Sequence, residues 1–367
     1  SLALAGADYI SYICNYMQTP AQPTPGDFEL EHFLPYRLSL LANTVSHGIA
    51  AGYRDAHGIS VTEWRILAVL GRYPGLAAFE LAERTAMDKV AIHRGVKALV
   101  AELPEDSFRP SDAYITNDPW MGTGHLNDFV ITTPCFHNGR LVALFSCTSH
   151  LIDIGGIGFG PDGTDVHMEG IYIPFLKLIE EGKVNETLIA MIRANTRLPV
   201  DTVGDTYSLA ACNDVGCQRL TEMMSEFRLD DLDGLSAYIC ERSEATVREE
   251  IAALPKGSWS NTMVTDGYDS PIELTATVTV SDGGIHVDYT GTSPVAARGI
   301  NVPISYTTAY TVFGLACVVG RNVPNNAGSL APLTVSAPEG CILNAPKPAP
   351  VCSRHVIGQM LPDVVFG

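Results

Sequence analysis

The fold is decided by residues 111–156, which read SDAYITNDPWMGTGHLNDFVITTPCFHNGRLVALFSCTSHLIDIGG. Three runs within this stretch, AYIT, DFVITTPCF and RLVALFSCTS, are rich in β-branched and aromatic residues and predict short strands. The residues His137-Asn138-Gly139 separate the second run from the third and predict a hairpin turn, because Asn-Gly favours the tight turns between antiparallel strands. A sheet therefore begins in this stretch.

The same stretch concentrates His, Asp and Gly. His125 and Asp128 form an H-x-x-D pattern, and His150 lies beyond the predicted hairpin, which could return it beside them. Two imidazoles and a carboxylate are the ligand set of a mononuclear divalent metal site that leaves positions open for water or substrate. The alternative is that these residues form turns or are solvated side chains, as is common for polar residues in loops.

Toward the C terminus the pattern alternates between helix and strand. Residues 185–253 carry apolar residues at helical spacing. The runs IELTATVTV and IHVDYTGT then predict strands joined by a hairpin turn at DGG, and TTAYTVFGLACVVG predicts a buried helix. Trp259, Tyr306 and Tyr310 are expected to be core aromatic residues. This alternation predicts an α+β fold with a mixed sheet and helical insertions.

Toward the N terminus the chain changes character twice. The run TPAQPTPGD is rich in proline, which disfavours helix, so residues 1–26 are expected to be a tail or linker. Apolar residues then recur at helical spacing and predict a small all-α module over residues 27–100. The sheet-rich region is expected to occupy residues 104–367.

Composition limits the class of protein. The 367 residues carry a formal net charge of −18, which disfavours nucleic acid as the main partner. The nine cysteines form no C-x-x-C pair, so neither a zinc ribbon nor a disulfide framework is indicated, and a reducing cytoplasm fits best. No stretch is long and apolar enough to span a bilayer, and we therefore expect a soluble protein without a membrane partner.

Several motifs carry a resemblance to a known family. Thr116 to Asp128 contain the run TNDPxxGxxHxxD, and Ser149 to Gly156 contain SHxxDIGG. With the motifs that follow, residues 104–367 resemble the hydantoinase B family, which includes the B subunit of ATP-dependent hydantoinases, the matching half of 5-oxoprolinase and a subunit of acetone and acetophenone carboxylases. The further matches are MEGIYIP, RANTRLP, GDTYSLAACND, DYTGTSP, PNNAGSLAP and RHVIGQMLPDVVFG.

The resemblance implies a fold and a metal. The mixed-sheet region would be a catalytic domain of hydantoinase B type, which we expect to be incomplete at both ends because family B subunits extend further in both directions. In the carboxylase branch the equivalents of His125, Asp128 and His150 bind the catalytic metal. The resemblance therefore implies a divalent ion, Mn, Fe or Zn, held by these three side chains.

Three further carboxylates are candidate catalytic residues: Asp118, Asp153 and Glu169. For Asp118 and Asp153 the alternatives are the capping of turns and the orientation of a ligand imidazole through its other nitrogen. Glu169 is a candidate acid or base, and an exposed loop carboxylate explains it equally well.

The resemblance also implies an activity and a partner. The chain would be the B subunit of an ATP-dependent cyclic amidohydrolase that opens hydantoin, N-methylhydantoin or 5-oxoproline. In the family an actin-like ATPase, the A subunit, phosphorylates the oxygen of a cyclic amide or ketone, and a hetero-oligomer is expected. No P-loop occurs in the sequence, which agrees with ATP being used by that partner. The alternative is a subunit of an acetone or acetophenone carboxylase.

The helical module has a resemblance of its own. The stretch GISVTEWRILAVLGRYPGLAAFELAERTAMDKVAIHRGVKALV lies within residues 28–100 and resembles the MarR winged-helix regulators, with residues 88–99 as the recognition helix. Between residues 60 and 100 there are only six cations against four anions, and the chain leaves the pattern before a wing. DNA binding is therefore not expected, and a transcriptional regulator or an inactive fusion remains the alternative.

Overall fold

The computed structural model describes residues 107–367. The predictions for the tail over residues 1–26 and for the helical module over residues 27–100 lie outside the described residues. The nine described strands are β1 (Ala113–Thr116), β2 (Asp128–His137), β3 (Arg140–His150), β4 (Leu176–Glu180), β5 (Lys183–Val184), β6 (Gly257–Thr265), β7 (Ile272–Ser281), β8 (Gly284–Asp288) and β9 (Leu333–Ser336).

Seven α-helices and two shorter helical turns are interleaved with these strands in the described part of the chain. The two turns are a π-helical turn over Pro119–Thr123 and a 3-10 turn over Val166–Met168. The helices are α1 (Glu186–Asn195), α2 (Pro199–Phe227), α3 (Asp233–Ala252), α4 (Ile304–Ala316), α5 (Ala327–Leu330), α6 (His355–Gly358) and α7 (Leu361–Phe366).

The first sheet is antiparallel and has the strand order β3-β2-β1-β4-β5. The predicted hairpin between β2 and β3 is confirmed, and its turn residues Asn138 and Gly139 have φ values of 50° and 82°, as a type I′ turn requires. The ladder pairs Asp128 with His150 at its far end. Its register changes between Cys135 and Phe136, which pair with Ala143 and Leu141.

One face of the first sheet is covered by α1 and α2. Apolar residues of the strands, among them Ile115 and Phe129, pack against Ile192 of α1 and Val203 of α2 in one buried cluster. Asn213 fastens α2 to the sheet, because its side-chain amide donates to the carbonyl oxygen of Ile131 at 2.9 Å. The long helix is thereby fastened to β2, the strand that begins at Asp128.

The second sheet is mixed and has the strand order β6-β7-β8-β9, with β9 parallel to β8. Parallel neighbours need a crossover connection, and the chain between β8 and β9 contains α4 and α5. The core of this half contains Leu274 and Val287 from the strands, with Val312 from α4 and Leu361 from α7. The predicted α+β class, the second hairpin and the buried helix are confirmed.

The prediction that three aromatic residues lie in the core is partly wrong. Tyr306 is buried and Tyr310 packs against the core, but Trp259 is 51% exposed. Trp259 lies near the start of β6, which is the edge strand of its sheet, on the same strand face as Met263. Its exposure therefore reflects this position at the edge of the sheet and not the alternation of side chains along the strand. Among the helices of residues 107–367, none combines the length and the apolar character that a bilayer span requires.

Candidate metal centre

The three predicted metal ligands lie together at the end of the β2–β3 hairpin. Asp128 begins β2 and His150 ends β3, and the register places them opposite each other, while His125 lies in the loop just before β2. Asp128 Oδ1 is 2.7 Å from His125 Nε2 and 3.0 Å from His150 Nδ1. One candidate ligand atom from each side chain lies within 4.8 Å of the other two.

The hydrogen bonding of His125 favours a metal ligand. Its Nδ1 lies 3.0 Å from the carbonyl oxygen of Cys352, which can only accept, so we assign the proton to Nδ1. Burial, together with the charge of Arg354, lowers the pKa of His125 to about 4, so the ring is neutral at neutral pH. The lone pair of Nε2 then faces the carboxylate of Asp128, an arrangement that a bound cation satisfies.

The carboxylate of Asp128 is held in its ionised form. Burial opposes ionisation, but the hydrogen bond from His150 and the charge of Arg354 favour it and lower the pKa of Asp128. Arg354 Nη2 donates to Asp128 Oδ2 at 2.9 Å, which leaves Oδ1 toward the two imidazoles. The cluster therefore contains a permanent negative charge at neutral pH.

Arg354 is itself held in place by two neighbours. Its guanidinium lies over the ring of Tyr306, with 4.3 Å between Cζ and the ring centroid. Gly124 also lies against its side chain: its φ is +83°, and a Cβ there would come within 2.7 Å of Arg354 Cδ. A glycine at this position thus allows the arginine to reach Asp128.

The cluster is open on one side. The side chains of His125 and Asp128 are 2% and 13% exposed, whereas that of His150 is 51% exposed. The ring of Phe159 is nearly perpendicular to both imidazoles, with centroids 6.1 Å from His125 and 5.4 Å from His150, and stacks on His355 at 5.7 Å. An aromatic rim therefore lies beside the exposed ligand.

The structure places Asp118 at the start of the loop that leads to His125. Its Oδ1 accepts from the backbone N–H of Trp120 at 2.8 Å, which caps the π-helical turn. Its Oδ2 accepts from the hydroxyl of Tyr172 and the ammonium of Lys347, each at 2.5 Å. These contacts make Asp118 an anchor of the loop.

Asp153 lies just after β3 and accepts hydrogen bonds from two separate segments of the chain. Its Oδ1 accepts from the backbone N–H of Gly155 at 3.0 Å, and its Oδ2 accepts from the backbone N–H groups of Leu198 and Arg197. Partial burial opposes ionisation, but these hydrogen bonds lower the pKa of Asp153. Asp153 thus ties the glycine turn after β3 to the start of α2.

Glu169 is 1% exposed, so its interpretation as an exposed loop carboxylate is wrong. Its Oε1 accepts from the backbone N–H groups of Val351 and Cys352 at 2.6 and 2.8 Å. Burial raises the pKa of Glu169 to about 7, against the lowering effect of these two hydrogen bonds. Like Asp118 and Asp153, it contacts the chain around the cluster.

Sequence reasoning missed the C-terminal contribution to this site. Cys352, Arg354 and His355 all lie near the cluster, yet none was a predicted site residue. The available signal was the terminal motif RHVIGQMLPDVVFG, which begins at Arg354. The aromatic rim residue Phe159 lies in a glycine-rich loop that had no specific signal.

Comparisons with known proteins match the chain to two family models and to several relatives. A family model described as Hydantoinase B/oxoprolinase matches residues 81–367, and a MarR family model matches residues 57–102. An uncharacterized protein of Methanocaldococcus jannaschii is 30% identical, with 74% of this chain and 49% of that protein covered. The B subunit of a putative D-/L-hydantoinase from a Pseudomonas species is 29% identical, with 74% and 49% covered.

Longer relatives and solved structures extend the comparison. The 5-oxoprolinase 1 of Arabidopsis thaliana is 27% identical, with 71% of this chain and 23% of that protein covered. The ATP-dependent caprolactamase of Pseudomonas jessenii has a TM-score of 0.70 at 24% identity, with 75% and 48% covered. Nucleotide-free acetone carboxylase has a TM-score of 0.64 at 16% identity, with 73% and 39% covered. The chain thus spans about half the length, or less, of these proteins and shares the fold of both structures.

Proposed function

Because the chain belongs to the hydantoinase B/oxoprolinase family, we propose that it is the metal-dependent B subunit of an ATP-dependent amidohydrolase. Its substrate would be a cyclic amide of the hydantoin, N-methylhydantoin or 5-oxoproline class, opened at the C–N bond. The observation that carries the proposal is the cluster of His125, Asp128 and His150. The hydantoinase relative from Pseudomonas and several 5-oxoprolinases support the substrate class.

The donor set fits a divalent transition metal. His125 Nε2, Asp128 Oδ1 and His150 Nδ1 would hold the ion, and two imidazoles with one carboxylate suit Mn, Fe or Zn. When bound, such an ion supplies Lewis acidity that polarises a carbonyl group or lowers the pKa of a water molecule.

Residues around the cluster would orient its side chains for metal binding. Arg354 keeps one oxygen of Asp128 occupied, so the other oxygen points toward the imidazoles. The carbonyl of Cys352 holds the His125 tautomer in which Nε2 is free of its proton. Since His150 is the exposed member of the set, substrate is expected to approach from its side, along the ring of Phe159.

The partner in this proposal is an ATPase subunit of hydantoinase A type. The caprolactamase that shares this fold is described as ATP-dependent, while the present sequence contains no P-loop. We therefore assign ATP use to the partner, which would phosphorylate the amide oxygen and pass the activated substrate to this chain within a hetero-oligomer.

The first experiment measures bound metal by mass spectrometry. We expect about one Mn, Fe or Zn per wild-type chain and a loss of this metal in the His125→Ala, His150→Ala double variant. The matched control is the His137→Ala, His167→Ala double variant, which removes two histidines outside the cluster and is expected to keep the metal. Absence of metal from folded wild-type protein would contradict the proposal.

A second experiment separates hydrolase from carboxylase. The chain is combined with its ATPase subunit and ATP, and is supplied either with hydantoin or 5-oxoproline, or with acetone and bicarbonate. ATP-dependent ring opening supports the proposal. Formation of a carboxylated product only in the presence of bicarbonate would instead assign the chain to the carboxylase branch.

A further inference from the structure

Glu169 is a buried carboxylate that the proposed chemistry does not use. It follows the 3-10 turn at Val166–Met168, and its Oε1 accepts from the backbone N–H groups of Val351 and Cys352 at 2.6 and 2.8 Å. Among the residues that the structure describes, none provides a hydrogen-bond partner for its Oε2. One carboxyl oxygen of this buried residue therefore accepts hydrogen bonds from two consecutive backbone amides.

The segment that Glu169 holds, Val351–Arg354, reaches the candidate metal centre at two points. The carbonyl oxygen of Cys352 accepts from His125 Nδ1 at 3.0 Å, and Arg354 Nη2 donates to Asp128 Oδ2 at 2.9 Å. Two of the three candidate ligands are therefore contacted by a segment whose own backbone N–H groups donate to Glu169.

Three glycines lie against Glu169, and a side chain at any of them would crowd it. A Cβ at Gly156 would lie 2.5 Å from the carbonyl carbon of Glu169, and a Cβ at Gly163 would lie 3.3 Å from its Cγ. A Cβ at Gly299 would lie 3.2 Å from its Oε1. Burying a carboxyl group is unfavourable. The burial of Glu169 therefore indicates that the hydrogen bonds of its Oε1 have a specific role.

We propose that Glu169 is a positioning residue of the candidate metal centre, which acts through the backbone of Val351–Arg354. Its Oε1 fixes this segment, and the segment fixes both the tautomer of His125 and the orientation of Asp128. The inference rests on the proposed function of the cluster, and it gives Glu169 a role other than direct proton transfer to substrate.

The first test measures the affinity of the chain for Mn²⁺ or Zn²⁺ in four proteins. Loss of a residue that orients a metal ligand typically weakens binding by about 10- to 100-fold, and we expect this for Glu169→Ala. Glu169→Gln keeps an acceptor oxygen and is expected to retain most of the affinity. The control Asp165→Asn alters a carboxylate on the same turn that caps His167 and Met168, and should bind as wild type does.

The second test needs no metal and reads the tautomer of His125 by ¹⁵N NMR of histidine-labelled protein. We expect the Nδ1–H form in wild type and in Glu169→Gln, and a mixture of tautomers in Glu169→Ala. Should Glu169→Ala fail to fold, Glu169→Asp replaces it, because its shorter side chain keeps the carboxyl group but is not expected to reach both amides.

The two tests distinguish the ways in which the inference can fail. If wild-type protein takes up no metal, the proposed function fails, while the tautomer of His125 still decides the positioning role. Wild-type affinity and an unchanged His125 signal in folded Glu169→Ala or Glu169→Asp would overturn the positioning role. An equal loss of affinity in Glu169→Gln and Glu169→Ala would overturn it as well, since an acceptor oxygen would then not suffice.

Discussion

Gly124 and Gly139 have nearly the same backbone conformation, with φ values of +83° and +82°, but different surroundings. A Cβ at Gly124 would lie 2.7 Å from Arg354 Cδ, whereas a Cβ at Gly139 would meet nothing within 4 Å. Both Gly→Ala changes should lower the free energy of unfolding by about 1 kcal/mol or more, because alanine disfavours positive φ.

Only Gly124→Ala should also weaken metal binding, since it displaces Arg354 from Asp128. Urea unfolding combined with a metal titration of Gly124→Ala and Gly139→Ala checks this prediction. Equal metal affinities in the two variants would show that the contact between Gly124 and Arg354 is not needed by the site.

Glu169 predicts a pH dependence of stability. Its pKa of about 7 in the folded chain lies above the ordinary value of 4.5, so the folded chain retains a proton that the unfolded chain loses between these values. The contribution of this group to stability is therefore lost as the pH rises through that window. The loss reaches up to about 3 kcal/mol at its upper end, at about 1.4 kcal/mol per pKa unit.

Glu169→Gln should lack this dependence, because glutamine does not titrate. Urea unfolding of both proteins at about pH 5 and about pH 8 tests the sign. Between the two pH values the wild type should lose more of its free energy of unfolding than the variant does. An equal change in both proteins would argue against a raised pKa of Glu169.

Single residues also show what the sequence could predict about the site. His125, Asp128 and His150 were predictable because they belong to one hairpin, where local spacing brings them together. Arg354 was not, since it is separated from Asp128 by 226 positions and only the tertiary fold joins them. The burial of Glu169 was missed because glutamate is rarely buried without a partner.

At the scale of elements, α2 offers a matched pair of glycines. A Cβ at Gly216 would lie 2.5 Å from Phe145 Cδ1 on β3, while a Cβ at Gly204 meets nothing within 4 Å. Gly204→Ala should stabilise the chain by about 0.5–1 kcal/mol, the helix preference of alanine over glycine. Gly216→Ala should instead destabilise it, because α2 must move away from β3.

Chemical denaturation of both variants tests this prediction, with circular dichroism confirming that helix content is unchanged. A stabilising effect of Gly216→Ala would mean that the ring of Phe145 can turn away without cost. A destabilising effect of Gly204→Ala would mean that this part of α2 is more crowded than its surroundings indicate.

The elements that the sequence predicted are those with local signals. Both hairpins carry turn residues between alternating runs, and α2 and α4 carry helical periodicity. The parallel pairing of β9 with β8 has no such signal, because their contact depends on the crossover through α4 and α5. The exposure of Trp259 depends on the edge position of β6, which the strand pattern alone does not give.

At the scale of the whole molecule, metal binding should stabilise the described part of the chain as a unit. The candidate ligands lie in the β2–β3 hairpin and in the loop just before it, and they are contacted by Cys352 and Arg354 near the C terminus. A ligand that binds only the folded form adds about 2.7 kcal/mol when its concentration is 100 times its dissociation constant.

We therefore expect added Mn²⁺ or Zn²⁺ to raise the Tm of the wild type and a chelator to reverse this shift. The His125→Ala, His150→Ala variant should show neither effect. An equal shift in that variant would place the stabilising ion elsewhere on the chain.

Membership of the family was predictable from the sequence, because the matching motifs extend from Thr116 to the C terminus and their order is itself specific. The α+β class followed from the same alternation of strands and helices. The boundaries at residues 26, 100 and 104 and the absence of a DNA-binding function stay predictions, since they concern residues outside the part that the structure describes.

The register change in the β2–β3 hairpin leaves β3 with one residue that has no partner on β2. Val142 lies between Leu141 and Ala143, which pair with the consecutive residues Phe136 and Cys135, so Val142 has no place of its own in the ladder. A deletion there would leave every pair from Cys135–Ala143 to Asp128–His150 in register. An insertion at the same point would instead add a second unpaired residue to β3, so we expect the strand to tolerate shortening here better than lengthening.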